Sequence, residues 1–267
     1  MMRKEDNINE TVQLNCKILN SHIGVLIEDF DDITQVTAET AAYLKRLVNI
    51  HHVVVIRGKR KWKEEEQQKF TEQLGKIELP VVYSIPPSQV NEHENSGKVK
   101  KGSGVFWHSD NSYQERPSYL SVFQMFDIPK SGTKTSFASL INLYQNLSED
   151  DKRIWHDYSV LYRDKILHPL LWKHPFNGKE TVYFDIGFST DIINHCENGG
   201  TIPMKESNEI FNYINDKLSS EASLLEHDWQ EGDIIILDNY AVAHRASVLF
   251  ENENRTLLRM TTEGVYF

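Results

Sequence analysis

Hydrophobic and polar positions change their spacing partway along the chain. Val25-Leu26-Ile27 is a short apolar run that predicts a strand. Between residues 38 and 49, Ala41, Leu44, Leu47 and Val48 recur on one helical face, with Thr37 as a candidate N-cap. Val53-Val54-Val55-Ile56 is continuously apolar and bounded by Gly58, the pattern of a buried strand. A second helix is expected from about Lys63 to Leu74, with Gly75 suited to its C-terminal stop. Val81-Val82-Tyr83 then reads as a brief extended piece. Beyond residue 105, strand-like stretches dominate, at 105–110, 119–126, 134–137, 158–163, 181–186, 233–238 and 256–266. Two helical inserts interrupt them. One starts at Ser148, where Glu149, Asp150 and Asp151 suit the helix dipole. The other spans about 206–218 and carries Ile210, Phe211, Ile214 and Leu218 on one face. The expected class is mainly β with flanking helices around a sandwich or barrel core.

Two segments have no period. Residues 1–10 are polar and are expected to fray. Residues 88–104 are polar and include Ser96-Gly97 and Gly102-Ser103-Gly104. A loop of this length inside a compact domain is a lid over a site or a slack surface loop, and both readings stand. No repeat, low-complexity tract or Pro/Ser-rich linker divides the chain, so residues 1–267 are read as a single domain.

Composition narrows the class of partner. The 267 residues are 39% apolar and 25% charged, an ordinary soluble composition, with a formal net charge of -10. That balance argues against nucleic acid, whose binders present basic surfaces. The basic clusters at 57–63 and 98–101 read as solvated loops; Glu64, Glu65 and Glu66 follow the first at once. No apolar run approaches the roughly 18 residues that span a bilayer, and the amino terminus has no apolar stretch of a secretory signal. The two cysteines, Cys16 and Cys196, form neither a CxxC site nor a disulfide framework, which suggests a reducing, cytoplasmic setting. The expected partner is a small-molecule substrate, with no nucleic acid and no membrane; a homo-oligomer is compatible with the sequence.

Three clusters can carry chemistry. In Phe106-Trp107-His108-Ser109-Asp110, an imidazole and a carboxylate stand at i and i+2, so on a strand both reach one face and one metal ion. Gly232-Asp233-Ile234-Ile235-Ile236-Leu237-Asp238-Asn239 is a buried strand ending in a polar turn, with His244 just beyond. Two histidines and one carboxylate are the facial triad of non-haem Fe(II) oxygenases, which leaves coordination positions open. Arg255 and Arg259 are four apart with Leu257 between, so on a strand they share a face; an inward-pointing arginine calls for an anionic partner such as a dicarboxylate. The plainer alternatives are a surface histidine at a turn and solvent-facing arginines on an edge strand.

The order HxD, Gly132-Thr133-Lys134-Thr135-Ser136-Phe137, Asp238-Asn239-x4-His244 and Arg255-x3-Arg259 resembles the taurine-dioxygenase-type (TauD/TfdA) branch of Fe(II)/2-oxoglutarate-dependent oxygenases. The resemblance runs from about residue 20 to 265. It includes Val53 to Gly58, Trp107 to Asp110, His168-Pro169, His174-Pro175-x-x-Gly178 and Gly232 through Arg245. It implies a double-stranded β-helix (jelly roll, cupin-like) core and a dioxygenase with Fe(II), 2-oxoglutarate and O2 as cofactor and co-substrates. It further implies His108, Asp110 and His244 as metal ligands, and Thr135 and Arg255 on the distal carboxylate of 2-oxoglutarate. Arg259 would lie close to the C1 carboxylate and the substrate. Tyr83, Tyr113, Phe123 and Phe188 are candidate substrate-pocket residues. The implied outcome is hydroxylation or desaturation of a small organic substrate, an acid or amino-acid-derived metabolite, with release of succinate and CO2. Related halogenases lack the carboxylate that Asp110 provides. Lys134 stands where the family has an acidic residue and is expected to face outward. Pro80 and Gly104 stand where a taurine enzyme has a His and an Asn, so taurine is not the expected substrate.

Other classes fit less well. A non-catalytic jelly-roll binding module predicts degraded ligands, yet all three are present. A zinc hydrolase could use a His/Asp/His site but leaves Arg255 and Arg259 without a role. Within the family chemistry, a secondary-metabolism desaturase, as in isonitrile biosynthesis, is the main alternative to a hydroxylase. Histidines 51, 52, 93, 156, 168, 174, 195 and 227 and Trp62, Trp155, Trp172 and Trp229 are read as packing or surface residues.

Overall fold

Val53, Val54, Val55 and Ile56 are all fully buried, because their strand lies inside a sheet covered on both faces. The computed structural model describes residues 14–28, 30, 36–78, 81–85, 99–100, 104–130, 134–196, 199–220, 224–247, 249–250 and 255–266. In chain order the first half holds β1 (Asn15–Ile18), β2 (Val25–Glu28), α1 (Ala38–His51), β3 (Val53–Arg57), α2 (Glu64–Leu74), β4 (Val81–Ile85), β5 (Val99–Lys100), β6 (Leu120–Asp127) and β7 (Lys134–Ser139). Next come α3 (Leu140–Gln145), α4 (Glu149–Trp155), β8 (Tyr158–Tyr162), β9 (Leu167–Pro169), β10 (Leu171–Lys173), β11 (Glu180–Val182), β12 (Ser189–Asn194), β13 (Gly200–Thr201) and α5 (Met204–Leu218). The chain ends with β14 (Leu224–Asp228), β15 (Asp233–Asp238), β16 (Val242–Ala246), β17 (Leu249–Phe250) and β18 (Arg255–Thr261).

A seven-stranded sheet runs in the order β1-β2-β3-β15-β6-β18-β4, and a three-stranded sheet runs β14-β7-β16. Alternation along the strands assigns each side chain to a face. Val54, Ile56, Val122, Ile234 and Ile236 pack outward against Leu44, Leu47 and Val48 of α1 and Phe70 and Leu74 of α2. Val53, Val55, Phe123, Met125, Ile235 and Leu237 point the other way and meet Phe137 and Val242 of the smaller sheet. These facing sheets form the sandwich core expected from the strand pattern, in agreement with the jelly roll that the resemblance implied. Each fully buried aliphatic side chain there contributes on the order of 1.5–3 kcal/mol. Helices α3 and α5 and the β13-β12-β8-β9 sheet share a further apolar cluster that includes Trp107.

The helix caps follow the sequence. Thr37 Oγ1 accepts from the Thr40 N–H at 3.1 Å, and Ser148 Oγ accepts from the Asp151 N–H at 3.0 Å. Glu66 reaches back to the Lys63 N–H at 2.7 Å and also pairs with Arg60, so acids neutralise the basic cluster at 57–63. Helix α2 stops at Gly75 as expected, without a left-handed turn. The Gly75 backbone is extended (φ 173°), and the left-handed stop belongs to His52 after α1 (φ 64°).

Other boundaries move. The expected strand at 105–110 does not form; His108 makes one isolated bridge within an irregular loop. The 181–186 strand ends at Val182, where a turn begins to form around Asp185, and the last strand stops at Thr261. Strands β12, β14 and β16 and helix α3 carried too weak an apolar period to be read. The expected frayed segment, 1–10, lies outside the described residues. So does the expected lid, apart from β5, which pairs with β17, and Gly104.

Candidate active site

The site forms where β16 meets the irregular loop after Gly104. The His108 N–H donates to the His244 carbonyl at 3.1 Å, and the His244 N–H donates to the His108 carbonyl at 2.8 Å. This bridge lays the loop along the free edge of the β14-β7-β16 sheet and sets the two imidazoles 4.2 Å apart, centroid to centroid. The chain then turns. Asn111 adopts a left-handed conformation (φ 56°), which asparagine tolerates. Ser109 Oγ pins the turn by donating to the Val242 carbonyl at 3.1 Å. Asp110 thus swings in beside both histidines by a turn, not by strand alternation. One ligand atom from each of His108, Asp110 and His244 lies within 4.8 Å of the others. Among the described residues this is the one His/Cys/Asp/Glu group so converged.

The protonation states suit a cation. His108 Nδ1 lies 2.8 Å from the Phe106 carbonyl, so Nδ1–H donates there and Nε2 keeps its lone pair for a metal. Burial drives the His244 pKa down to about 3; His108 and Arg259 push the same way and Asp110 opposes them. Burial alone would raise Asp110, but Arg259, His244, His108 and the Ser121 hydroxyl together bring it down to about 2. Asp110 is therefore a buried carboxylate, paired with Arg259 through Oδ1 and accepting from Ser121 Oγ at 2.6 Å through Oδ2. Two imidazoles and one carboxylate fit a divalent metal with positions left open.

The opposite wall is fit for an anion. Arg255, Leu257 and Arg259 alternate along β18 and all line the cavity, as their spacing predicted. Arg255 is buried, which lowers its pKa, and donates to the Ser247 carbonyl at 2.9 Å. No carboxylate among the described residues pairs with it, and a buried guanidinium is costly without an anion. Thr135, on β7, also lines the cavity; its Oγ1 accepts from Trp229 Nε1–H at 2.9 Å, which leaves the hydroxyl proton to donate elsewhere. Trp229 is therefore more than the packing residue the sequence suggested. Lys134 points away, half-exposed, and pairs with Glu226 at 2.9 Å.

These walls enclose a cavity of about 250 Å³. Tyr113, Phe123 and Phe188 line it, with Tyr113 and Phe188 in ring contact at 4.7 Å. Tyr83 lies on β4 opposite Leu257, and its side chain is outside the described residues. Phe106, 59% exposed, and Asp185 also line the cavity, and sequence reasoning missed both roles. Asp185 accepts from Ser112 Oγ at 2.7 Å and from the N–H groups of Gly187 and Phe188 at 2.7 and 3.1 Å. It thereby ties the loop that carries His108 and Asp110 to the turn that carries Phe188. Burial raises its pKa, while His108 pulls the other way. The signal was present as Asp-x-Gly-Phe, a pattern in which an aspartate caps its own turn.

The other described histidines stay away from the cavity. His174 Nε2–H donates to Asp238 at 2.8 Å while Nδ1 accepts from the Phe176 and Asn177 N–H groups. His168 donates to the Gln114 carbonyl at 2.8 Å, and His227 lies 3.0 Å from Asp233. His93 is outside the described residues. Cys16 and Cys196 are both exposed, and neither forms a disulfide. No helix among the described residues is long and apolar enough to cross a membrane.

Known proteins match this arrangement over most of the chain. A family model described as taurine catabolism dioxygenase TauD, TfdA family matches residues 19–261. The chain is 23% identical to a 3-((Z)-2-isocyanoethenyl)-1H-indole synthase of Fischerella ambigua, over 95% of this chain and 97% of that protein. It is also 23% identical to an alkylsulfatase of Acinetobacter baylyi, over 96% of this chain and 87% of that one. A crystal structure of a taurine dioxygenase from Burkholderia xenovorans superposes with a TM-score of 0.78 at 23% identity, covering 94% of this chain and 91% of the other.

Proposed function

The chain belongs to the taurine catabolism dioxygenase TauD, TfdA family, and from that premise we propose that it hydroxylates or desaturates a small organic acid or amino-acid-derived metabolite, yielding succinate and CO2. As a family member it is a 2-oxoglutarate-dependent dioxygenase, an oxidoreductase that requires Fe(II). The observation that carries the reading is the convergence of His108, Asp110 and His244 in a cavity that Thr135 and Arg255 also line.

In this reading His108 and His244 offer neutral imidazole nitrogens and Asp110 a single negative ligand, so the bound metal keeps net positive charge for an anionic co-substrate. When bound, Fe(II) and 2-oxoglutarate supply oxidation of a C–H bond by dioxygen, coupled to conversion of 2-oxoglutarate to succinate and CO2. Arg255 would take the distal carboxylate in a charge-assisted contact, and the Thr135 hydroxyl would donate to the same group. Arg259, already at Asp110, would serve the proximal carboxylate and the substrate. Phe123, Met125 and Leu257 give the cavity apolar walls, which exclude water. In this reading one domain forms the catalytic unit, because the residues assigned to iron and 2-oxoglutarate span over half the chain, from His108 to Arg259, and converge on one core.

Desaturation has specific support. The Fischerella relative is named for a product with a carbon–carbon double bond next to an isocyano group, and it aligns over nearly its full length. Asp110 fills the place a halide would need, which disfavours halogenation. Mass spectrometry of products from a panel of amino-acid-derived acids tests the reading. Gain of one oxygen marks hydroxylation and loss of two hydrogens marks desaturation, each with equimolar succinate. Turnover that is indifferent to 2-oxoglutarate would overturn it.

A further inference from the structure

We propose that Asn239 and Ser121 are positioning residues for Asp110, and that the directed chain Asn239 to Ser121 to Asp110 sets the affinity of the protein for its divalent metal. The proposal rests on Asp110 being a metal ligand, as assigned above.

Three hydrogen bonds close a ring. Asn239 Nδ2–H donates to Ser121 Oγ at 2.8 Å, Ser121 Oγ–H donates to Asp110 Oδ2 at 2.6 Å, and the Asp110 N–H donates to Asn239 Oδ1 at 3.1 Å. Asn239 and Ser121 are fully buried and Asp110 is 2% exposed, so water does not compete. The direction of the ring is fixed. A flipped Asn239 amide would set its NH2 against the Asp110 N–H, donor to donor. With Nδ2–H occupying an acceptor site on Ser121 Oγ, the single hydroxyl proton is directed to Asp110.

The sheet holds the ring in place. Ser121 sits on β6 paired with Leu237 of β15, and Asn239 follows β15 directly. The Asn239 N–H donates to the Tyr119 carbonyl at 2.9 Å, one residue before β6 begins. The carboxylate of Asp110, which lies in an irregular loop, is thereby aimed by two strands of the central sheet. Its Oδ2 faces His244 Nε2 across 3.9 Å. Groups that hold a ligand in place typically affect metal affinity by roughly 10–100-fold.

The test is titration with Co(II), followed by its visible absorption, on the full chain and its variants. Ser121→Ala and Asn239→Ala are each expected to weaken Co(II) binding at least tenfold and to alter the band shape. Ser121→Thr, which keeps the hydroxyl, should restore affinity to within threefold of wild type. Because both variants break one ring, the double variant should bind no more than threefold more weakly than the weaker single one. Melting of the metal-free proteins separates affinity from folding. If Asp110→Ala loses Co(II) binding while Ser121→Ala and Asn239→Ala keep the wild-type dissociation constant, this inference falls and the ligand assignment stands. If Asp110→Ala binds as wild type, the ligand assignment itself falls. A loss in Ser121→Ala that Ser121→Thr does not restore also overturns the positioning role.

Discussion

His108 and His244 exchange backbone hydrogen bonds across a single isolated bridge, so the two histidines proposed as metal ligands, 136 positions apart, are brought together by main-chain geometry. The bridge itself therefore does not depend on their side chains. His108→Ala and His244→Ala should abolish 2-oxoglutarate-dependent succinate formation while circular dichroism stays native. Retained turnover in either variant contradicts the ligand assignment.

Arg255 has a buried positive charge and no carboxylate partner among the described residues. Arg255→Ala should raise the apparent KM for 2-oxoglutarate at least about tenfold, equivalent to roughly 1.4 kcal/mol of lost binding. Trp229→Phe removes the donor that orients the Thr135 hydroxyl, along with some buried ring volume, and should cost about 0.5–1 kcal/mol, or roughly two- to fivefold in KM. Steady-state kinetics with 2-oxoglutarate as the varied substrate measures both. Equal effects from the two variants contradict the proposed division of labour.

The acid stability of the metal-free protein should report on His244. Its folded pKa, about 3, lies below the unfolded value near 6.5, so the unfolded chain binds more protons between those limits. The associated stability is complete above pH 6.5 and is lost as pH falls toward 3. Asp110, held near 2, stays ionised over most of that window. Melting temperature against pH after chelation should therefore fall less steeply for His244→Gln than for wild type between pH 6.5 and 5. Identical slopes would contradict the burial argument.

Phe188 is 39% exposed at the cavity, and its ring lies tilted against that of Tyr113 at 4.7 Å. Phe188→Ala should raise the KM for the organic substrate and uncouple 2-oxoglutarate consumption from product formation, while the KM for 2-oxoglutarate stays within about twofold of wild type. Oxygen uptake measured alongside product yield checks this. A change confined to 2-oxoglutarate affinity would place Phe188 on the wrong wall.

How much of this was legible in the sequence depends on whether the signal was local. Val53 to Ile56 and Ile234 to Leu237 announced the central strands by continuous apolarity, and Thr37 and Ser148 announced their helices by capping chemistry. The inward face of β18 followed from the spacing of Arg255, Leu257 and Arg259. The route to the metal-ligand set was misread. His108 and Asp110 were expected to share a strand face, whereas a bridge and a left-handed Asn111 bring them together. Strand β16 was missed because small and polar residues at its site-facing positions break the alternation. Asp185, Ser121 and Trp229 act through partners between 11 and 94 positions away, which no local pattern records.

The most direct test of the central claim is the visible spectrum of the protein under anaerobic conditions with Fe(II) and 2-oxoglutarate added singly and together. A charge-transfer band should appear only with both, be lost in His108→Ala, and require more 2-oxoglutarate to saturate in Arg255→Ala. Absence of the band in the wild-type protein, or an undiminished band in His108→Ala, would contradict the account.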